Sequence, residues 1–471
     1  MLRIFGHFVP VPAIMLGVFE IFLGGIALYL VAASAALGEA WAFPPAALPT
    51  QFSVALSAVA LIAMTSVGLY SYEVFLDTRA MVIKLLMALV LIAPATAVGA
   101  LVLSHAVEEG RMPAWPLCGL KAIVLWFACL LATRMIFLKF SDSELFRRRV
   151  VVIGTGARAA RIAELVARRA NRYFVPKGFV HACNDPLMVS GAALDLDHTN
   201  DEHALAHYAR DAGAKEVVVA TDDRRGMPTV QLLHCKIAGI NVVDYLSFWE
   251  RENSKVDIEA LQPSWLIYSD GFRRGLLVDV TKRVFDVSVS LLLLLLALPL
   301  ILGAMLAIKL DGGGPLLYRQ ERVGRDGQPI TLLKFRSMRV DAERDGAPRW
   351  AASGDPRVTR VGLLLRRFRI DELPQLVNVL RGDMSFVGPR PERPFFVAQL
   401  AESIPFYRER HSVKPGITGW AQVNYPYGAS LDDARQKLAY DLYYVKNRTV
   451  FLDFVIMLQT VRVILFGEGA R

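Results

Sequence analysis

Four apolar stretches in the first part of the sequence limit most strongly what this chain can fold into. They cover about residues 14–36, 52–70, 80–103 and 117–137. Each is close to the roughly 20 residues that a helix needs to cross a bilayer. The connections are short, so the sequence predicts a four-helix transmembrane bundle over residues 1–145. A mean hydropathy of +0.38 agrees with a multi-domain membrane protein.

The basic residues between these stretches predict the orientation of the bundle. The first and third loops hold only Arg111, whereas Arg3, Arg79, Lys139 and the arginines at 147–149 stand on the opposite side. Because lysine and arginine are enriched in cytoplasmic loops, we expect the N-terminus and everything after the fourth span to be cytoplasmic.

An α/β domain is predicted after the bundle, over residues 146–262. The segment RRRVVVIGTGARAARIAELV gives an apolar strand, a turn with Gly154 and Gly156, and a helical pattern. Three further strands are expected in KGFVHA, AKEVVVATDD and AGINVVDY. The alternation predicts a Rossmann-like, doubly wound parallel sheet. Gly154 and Gly156 form a candidate nucleotide loop, although we expect this domain to be non-catalytic.

A fifth apolar stretch, SVSLLLLLLALPLILGAMLAIKL, follows a linker predicted at residues 263–280. Lys282 and Arg283 precede it and Lys309 lies at its end, so both ends carry positive charge. Pro299 lies near its middle and would break a helix there. These features favour a re-entrant membrane helix at about residues 284–308 over a fifth span. Polar helices and loops follow, so residues 281–471 are expected to form a mostly α-helical domain.

Two adjacent carboxylates, Asp371 and Glu372, are the candidate catalytic residues. Neighbours on a helix point about 100° apart, so they are expected to have separate roles, one as a nucleophile and one as a metal ligand. Pro374 is tolerated in a first helical turn, which predicts a helix start near Asp371, and Gly382 is expected to end that helix. A carboxylate, Mg²⁺ and a helix N-terminus together favour a phosphoryl group.

Basic residues near this pair are the candidate phosphate ligands. Arg390 stands between two prolines, which stiffen the loop that presents it. Lys334, Arg336 and Arg339 are expected to hold a lipid phosphate or a nucleotide, and Arg369 precedes the acidic pair. The net charge of +9, in a membrane protein, favours anionic lipid and phosphorylated substrates, so no nucleic-acid partner is expected. The histidine and cysteine spacings predict no zinc site.

The segment RIDELPQLVNVLRGDMSFVGPRPERP, at residues 369–394, resembles the signature of the bacterial sugar transferases, the monotopic phosphoglycosyl transferase superfamily. KRVFDVSVSLLLLLLALPL, GPLLYRQERVGRDGQPITLLKFRSMR and KPGITGWAQVNY are also similar to that family. The bundle and the α/β domain resemble its large polyprenyl-phosphate hexose-1-phosphate transferases. MLRIFGHFVP and WLIYSDGFRR resemble the branch associated with exosortase-type exopolysaccharide systems.

The resemblance implies a reaction and a place. Asp371 would attack the sugar-bearing phosphate of a UDP-sugar and release UMP, with Glu372 holding Mg²⁺ and Arg390 contacting phosphate. Undecaprenyl phosphate would then accept the phosphosugar, in the first membrane step of exopolysaccharide or capsule repeat-unit assembly. The family's re-entrant helix is broken at a proline that matches Pro299. The expected location is the bacterial inner membrane, with the catalytic domain on the cytoplasmic face and an architecture compatible with a homodimer.

Two alternatives remain at this stage. One is a membrane-anchored, NAD-dependent sugar-nucleotide epimerase or dehydratase that works through the α/β domain. Against it, Tyr173 and Lys177 follow the glycine turn too closely for a catalytic pair, and His181 and Asp185 are poor ribose ligands. The other is a non-enzymatic scaffold of a polysaccharide assembly complex. A nucleotide bound to the α/β domain as a regulator also stays open.

Overall fold

The fold is described from a computed structural model of the 471-residue chain. The described residues are 2–4, 7–9, 11–38, 58–70, 81–92, 115–141, 147–167, 174–182, 185–190, 192–196, 199, 201–269, 271–272, 275–339, 357–426, 428 and 430–466.

Each predicted apolar stretch of the first part contains a helix. A short pair of strands, β1 and β2, precedes them. The elements are β1 (Leu2–Ile4), β2 (His7–Val9), α1 (Val11–Gly38), α2 (58–66), α3 (Met81–Ile92) and α4 (Trp115–Ser141). Within the described residues, no single helix has both the length and the hydropathy of a membrane span. The four-span bundle therefore stays a prediction, and the loops with Arg79 and Arg111 lie outside the described residues.

A buried ion pair joins α1 to α4. Arg134 Nε lies 2.8 Å from Glu20 Oε1, and Arg134 Nη2 donates to Glu20 Oε2 at 3.0 Å. Both side chains are fully buried. A buried charge is costly unless it is paired, so these two charges stabilise one another in this apolar setting. Each of these two isolated charges in the apolar stretches thus has the other as its partner.

The contacts divide the chain into two compact units. One comprises residues 1–2, 8–20 and 127–269, and the other comprises residues 3–7, 21–126 and 270–471.

The first unit contains a five-stranded, fully parallel sheet with the strand order β5-β4-β3-β6-β7. Its central strand β3 is the apolar run of the glycine-turn motif, and residues 150–153 are fully buried. The elements are β3 (Arg148–Ile153), α5 (Ala157–Ala167), β4 (Phe174–His181), β5 (Ala192–Asp195), α6 (Ala204–Asp211), β6 (Glu216–Val219), α7 (Thr229–Ile237), β7 (Asn241–Asp244), α8 (Tyr245–Asn253) and α9 (Pro263–Tyr268).

Four of these five strands lie where the sequence predicts them. The short edge strand β5 has no such signal, because a strand paired on one side only needs no continuous apolar run. The Rossmann-like assignment stays a prediction. The predicted linker, residues 263–280, carries α9 and the beginning of the next helix.

The second unit is mainly helical, with a β-hairpin (β8 and β9) and a parallel strand pair (β10 and β11). The elements are α10 (Leu276–Leu296), α11 (Leu298–Leu310), β8 (Leu317–Val323), a 3₁₀ turn (Arg325–Gly327), β9 (Pro329–Phe335), α12 (Arg360–Arg367), a second 3₁₀ turn (Ile370–Glu372), α13 (Gln375–Arg381), β10 (Ser385–Val387), α14 (Pro394–Ser403), a third 3₁₀ turn (Tyr407–Ser412), β11 (Gly416–Thr418), α15 (Trp420–Asn424), α16 (Leu431–Asn447) and α17 (Val450–Phe466).

The fifth apolar stretch is a bent helix pair. Helices α10 and α11 meet at Ala297 with a bend of 62°, and together they have the length and hydropathy that either a broken span or a re-entrant segment needs. Pro299 lies in the first turn of α11, where its missing N–H costs little. The break is thus at the expected place, while the re-entrant path through a membrane stays a prediction.

Candidate active site

The acidic pair lies on a tight turn between two helices. Arg369 has a left-handed backbone with φ of 57°, and residues 370–372 form the 3₁₀ turn. Helix α13 begins after Pro374 and ends at Gly382, whose φ of 97° makes it the expected helix end. Asp371 and Glu372 are buried, with 6% and 8% of their surface exposed. The pair therefore sits on the 3₁₀ turn just before α13, close to the predicted helix start.

Apolar packing fixes this turn against the bent helix pair. Ile370 belongs to a buried cluster with Ala304 and Ile308 of α11, Phe335 of β9 and Leu365 of α12. The residue immediately before Asp371 is thus held by three elements. A close-packed cluster of this kind leaves the carboxylates little room to move.

Three cations converge on one oxygen of Glu372. Lys334 Nζ and Arg390 Nη2 each lie 2.9 Å from Glu372 Oε1, and Arg369 Nη1 lies 3.8 Å from it. The structure therefore brings together five of the predicted site residues: the acidic pair and these three cations.

The two carboxylates differ in their pKa shifts. Burial raises the pKa of Asp371, and the negative charge of Glu372 adds to this effect against the opposing charges of Lys334, Arg366 and Arg369. Burial also acts to raise the pKa of Glu372, but Lys334, Arg390 and Arg369 hold it well below its usual range. Glu372 is therefore firmly ionised, whereas Asp371 is the more easily protonated of the two.

The loop that carries Arg390 is tied down through its backbone. Gly416 N donates to the carbonyl oxygen of Pro389 at 2.9 Å, and Arg410 Nη2 donates to that of Arg390 at 3.0 Å. Arg322 Nη1 donates to the carbonyl oxygen of Pro391, also at 3.0 Å. Three consecutive carbonyls are thus held, and the Arg390 side chain is presented from a fixed loop.

Glycines allow the strands below this loop to approach closely. A methyl group on Gly416 would lie 2.0 Å from the amide nitrogen of Gly388, which is far inside van der Waals contact. A methyl group on Gly419 would lie 2.2 Å from the carbonyl oxygen of Gly388. No other residue type fits these positions without moving the backbone.

Arg336 and Arg339 do not join the cluster around Glu372. Arg336 donates to the carbonyl oxygens of Ile308, Gly312 and Gly313 at 2.7 to 3.2 Å, so it caps the end of α11. The Arg339 side chain is exposed, and its backbone pairs with Arg357.

Arg366 is a site residue that the sequence analysis misses. Its charge lowers the pKa of Asp371, and its Nε donates to Ser337 Oγ at 2.9 Å. The sequence places it on an amphipathic helix, which gives no sign that it faces the acidic pair.

A magnesium ion fits beside Glu372 by the chemistry of the donors. Mg²⁺ is usually bound by one or two carboxylates, with substrate phosphates completing its shell. Lys334, Arg390 and Arg369 hold the pKa of Glu372 well below its usual range, so its carboxylate is charged and could serve as such a ligand. Among the described residues no group of three or more His, Cys, Asp or Glu side chains could hold a metal. Phosphate oxygens of a substrate, together with water, would complete the shell.

The candidate nucleotide loop is filled from within the protein. The backbone N–H groups of Ala157 and Arg158 donate to the carboxylate of Asp222 at 2.7 and 3.0 Å. A methyl group on Gly156 would lie 2.2 Å from Asp222 Oδ2, and Gly154 has a φ of +113°. Asp222 thus takes the helix N-terminal donors that a dinucleotide phosphate would use.

Three histidines lie together on α6 and α7. The histidine spacing is taken above to predict no zinc site, yet His203 and His207 are four residues apart, as in a metal-binding pair. The rings of His203 and His234 stack at 4.1 Å and those of His203 and His207 at 5.9 Å. Among the described residues these histidines do not form a group that could hold a metal ion.

Residues 277–467 match the profile of a family described as "Bacterial sugar transferase". The UDP-N-acetylgalactosamine-undecaprenyl-phosphate N-acetylgalactosaminephosphotransferase of Aeromonas hydrophila is 42% identical over 250 residues, which are 53% of this chain and 58% of that protein. The undecaprenyl-phosphate glucose phosphotransferase of Komagataeibacter xylinus is 35% identical over 330 residues, 69% of this chain and 60% of that protein.

A shorter relative is covered almost completely. The exopolysaccharide production protein PSS of Rhizobium leguminosarum bv. phaseoli is 43% identical over 187 residues, which are 39% of this chain and 94% of that protein. For the two longer relatives, the matched region spans only about three fifths of their length. The part of the chain that matches the family profile, residues 277–467, contains the acidic pair.

Proposed function

We propose a reaction for this chain from the premise that it belongs to the bacterial sugar transferase family. The chain transfers a hexose 1-phosphate from a UDP-sugar to undecaprenyl phosphate and releases UMP. One observation carries this proposal: a buried acidic pair in which one carboxylate is bound by Lys334 and Arg390 and the other is left to react. The names of the relatives support a sugar donor and an undecaprenyl-phosphate acceptor.

The first step is nucleophilic attack by Asp371. Its carboxylate oxygen bonds to the phosphorus that carries the sugar, and the bond from that phosphorus to the UMP oxygen breaks. The product is an aspartyl-phosphosugar, a covalent intermediate of the kind that carboxylates form in phosphoryl transfer. Burial keeps water from this intermediate, which limits its hydrolysis.

The second step returns the enzyme to its starting state. A phosphate oxygen of undecaprenyl phosphate attacks the same phosphorus, and the bond to Asp371 breaks. The products are undecaprenyl diphosphate-hexose and the free carboxylate, so no proton is gained or lost overall. A two-step route lets one small site accept a soluble donor and a lipid acceptor in turn.

Lys334 and Arg390 have a second role when the donor binds. Both lie on Glu372 in the structure, at 2.9 Å. The oxygens of a diphosphate are stronger partners for a guanidinium, which can bind two of them at once. Glu372 would hold Mg²⁺, and this ion when bound would supply positive charge to the diphosphate as its bond to UMP breaks.

The site belongs at a membrane because one substrate is a lipid. We propose that α10 and α11 form a re-entrant segment in the bacterial inner membrane, with the site on the cytoplasmic face. The apolar side chains exposed on this pair support the placement, among them Leu291, Leu295 and Leu302. The reaction would be the first membrane step of exopolysaccharide repeat-unit assembly, in the exosortase-associated branch that the N-terminal segment resembles, and a homodimer is compatible with it.

Nucleotide release tests the proposal. The detergent-solubilised protein is incubated with Mg²⁺, undecaprenyl phosphate and a panel of UDP-sugars, and UMP and UDP are measured separately. We expect UMP from the wild type with one preferred sugar, and none from Asp371→Asn. UDP in place of UMP would mean ordinary glycosyl transfer and would overturn the mechanism. A wild type that releases neither from any donor would favour the scaffold alternative.

A further inference from the structure

A buried polar network lies where α10, α17, α16 and β10 meet. Lys282 Nζ lies 2.7 Å from Asp453 Oδ2, 3.1 Å from Asp286 Oδ1 and 3.2 Å from the carbonyl oxygen of Val387. The side chain of Lys282 is 9% exposed, that of Asp286 is 4% exposed and that of Asp453 is fully buried. The ammonium group thus has three oxygen neighbours within 3.2 Å, two of which carry negative charge.

The network is attached to every residue of strand β10. Asp286 Oδ1 accepts from Ser385 Oγ and from Phe386 N, both at 3.1 Å. The Tyr444 hydroxyl lies 2.9 Å from the carbonyl oxygen of Val387 and 2.7 Å from Asp453 Oδ1. Since β10 leads directly into the loop of Arg390, the network fixes the base of that loop.

The next residue of α10, Arg283, binds helix α13, which follows the acidic pair. Arg283 donates to the carbonyl oxygens of Val379 and Leu380, at 2.5 and 2.6 Å. These carbonyls are in the last turn of α13, the helix that follows Glu372. The first turns of α10 thus contact both β10, which leads to Arg390, and α13, which follows Glu372. These two segments meet where Arg390 contacts Glu372.

We propose that Lys282 is a positioning residue for Arg390. By holding Val387 against the two buried carboxylates, it sets the place of β10 and so the reach of Arg390 toward the phosphate. Val387 precedes Arg390 by three residues, and the prolines on either side of Arg390 restrict the backbone between them. A shift of Val387 is therefore passed on to the guanidinium. This inference rests on the proposed function, because that function gives Arg390 its phosphate.

Lys282 and Arg283, the two basic residues before the helix break, have a structural role that differs from the one expected from the sequence. From the sequence, Lys282 and Arg283 are expected to mark one end of the membrane segment. In the structure Lys282 is buried among carboxylates, and Arg283 caps α13. The lysine at the far end of the pair, Lys309, is exposed and serves as a matched control.

A double-mutant cycle tests the proposal on the full-length protein in detergent. The variants are Lys282→Met, Arg390→Met and both together, with kcat and KM measured for UMP release. We expect Lys282→Met to lower kcat/KM at least about tenfold, as a misplaced binding group does. In the Arg390→Met background the same change should lower it no more than about twofold, because its effect runs through Arg390. Lys309→Met should leave kcat/KM unchanged.

An equal loss in both backgrounds would overturn the inference, since a purely structural role acts independently of Arg390. A Lys282→Met variant as active as the wild type would overturn it as well. By contrast, unchanged activity of Arg390→Met would contradict the proposed function itself. The two failures are thus told apart.

A second variant covers the case in which Lys282→Met does not fold. Tyr444→Phe removes only the hydroxyl next to Val387 and keeps the ring packing. We expect a loss in kcat/KM of about two- to fivefold that disappears in the Arg390→Met background. Thermal unfolding of each variant confirms that the folded protein is compared. A Tyr444→Phe loss that persists without Arg390 would count against the positioning role.

Discussion

Asp371 and Glu372 are adjacent in the sequence and similarly buried, yet their pKa values shift in opposite directions. The difference comes from which of them the cations touch. Lys334 and Arg390 form hydrogen bonds with Glu372, so its charged form is stabilised. Asp371 has no such bond among the described contacts with these two residues, and desolvation dominates. A nucleophile with a raised pKa reacts only when it has lost its proton.

The pH dependence of UMP release follows from this shift. Asp371 must be ionised to attack, and its pKa is raised, so activity should be lost as the pH falls through that raised value. The apparent pKa on the acidic side should lie above about 3.9, the value of an ordinary aspartate. Because Arg366 lowers the pKa of Asp371, Arg366→Met should move this acidic limb to higher pH.

A kcat/KM profile over the acidic range measures the shift. Arg360→Met is the control, since Arg360 is exposed on the same helix and should leave the profile in place. An acidic limb that moves to lower pH in Arg366→Met would contradict the assignment of this limb to Asp371.

At the scale of elements, the close contact of β10 and β11 decides where Arg390 lies. Gly388 and Gly416 permit this contact, and their amide groups bond across it: Gly388 N donates to the Thr418 carbonyl oxygen at 2.9 Å. Strands β10 and β11 are paired through two residue pairs, Ser385 with Gly416 and Val387 with Thr418. Because this pairing is short, it depends on the flanking hydrogen bonds. A small change in spacing here should move the Arg390 loop as a whole.

Gly416→Ala should therefore separate the two strands. The added methyl group would lie 2.0 Å from Gly388 N, so the backbone must shift. We expect a destabilisation of about 1–3 kcal/mol, typical of overpacking, and a loss of UMP release of at least about tenfold. Thermal unfolding and steady-state kinetics check the two effects.

Gly303→Ala is the matched control for this prediction. Gly303 lies within α11, and a methyl group there meets nothing within 4 Å. We expect it to be neutral or to stabilise by about 0.5–1 kcal/mol, because alanine is the better helix former. Equal activity losses in both variants would show that the glycine contact is not what matters.

At the scale of the molecule, residues 3–7 belong to the second unit although they stand at the beginning of the chain. His7 of β2 is buried, and its Nδ1 lies 2.8 Å from the Tyr443 hydroxyl. Its ring also stands edge-on to Trp420, with the ring centres 5.3 Å apart. Burial lowers the pKa of His7 to about 4, so the ring is neutral near pH 7. Residues separated by more than 400 positions thus form one local contact.

A chain truncated to begin at Gly271 tests what this contact contributes. We expect it to release UMP, because the described catalytic cluster is retained, but to unfold at a lower temperature than the full-length protein. In the full-length protein, His7→Ala should cost about 1–3 kcal/mol, since the Tyr443 hydroxyl loses its buried partner. A folded, membrane-bound truncation without any activity would contradict the expectation that the site is self-sufficient.

His207→Ala is the control for the His7 substitution. His207 is 62% exposed, and the imidazole lies 3.9 Å from Asp201, so its removal should change stability little. The His7 contact also has a pH signature. An unfolded His7 takes up a proton near pH 6.5 and the folded one only near pH 4, so the stability of the wild type should fall as the pH drops through this window. His7→Ala should weaken this dependence.

The sequence by itself determined the features that depend on short segments. The apolar runs give the helices of the first part, the run at 150–153 gives the central strand, and Pro299 lies at the bend of the helix pair. The acidic pair and Arg390 also stand out locally, because proline and glycine fix the turns around them. In each case the residues that decide the outcome lie within one continuous segment of the sequence.

Only the tertiary structure decided which groups meet. Lys334 and Glu372 are 38 residues apart, and nothing local distinguishes Lys334, which joins the site, from Arg336, which caps α11. Asp222 reaches the glycine turn from 65 residues away, and Lys282 turns inward to buried carboxylates. The physical reason is that a charged side chain takes the partner that packing brings within a few ångströms, and a sequence pattern carries no information about such distances.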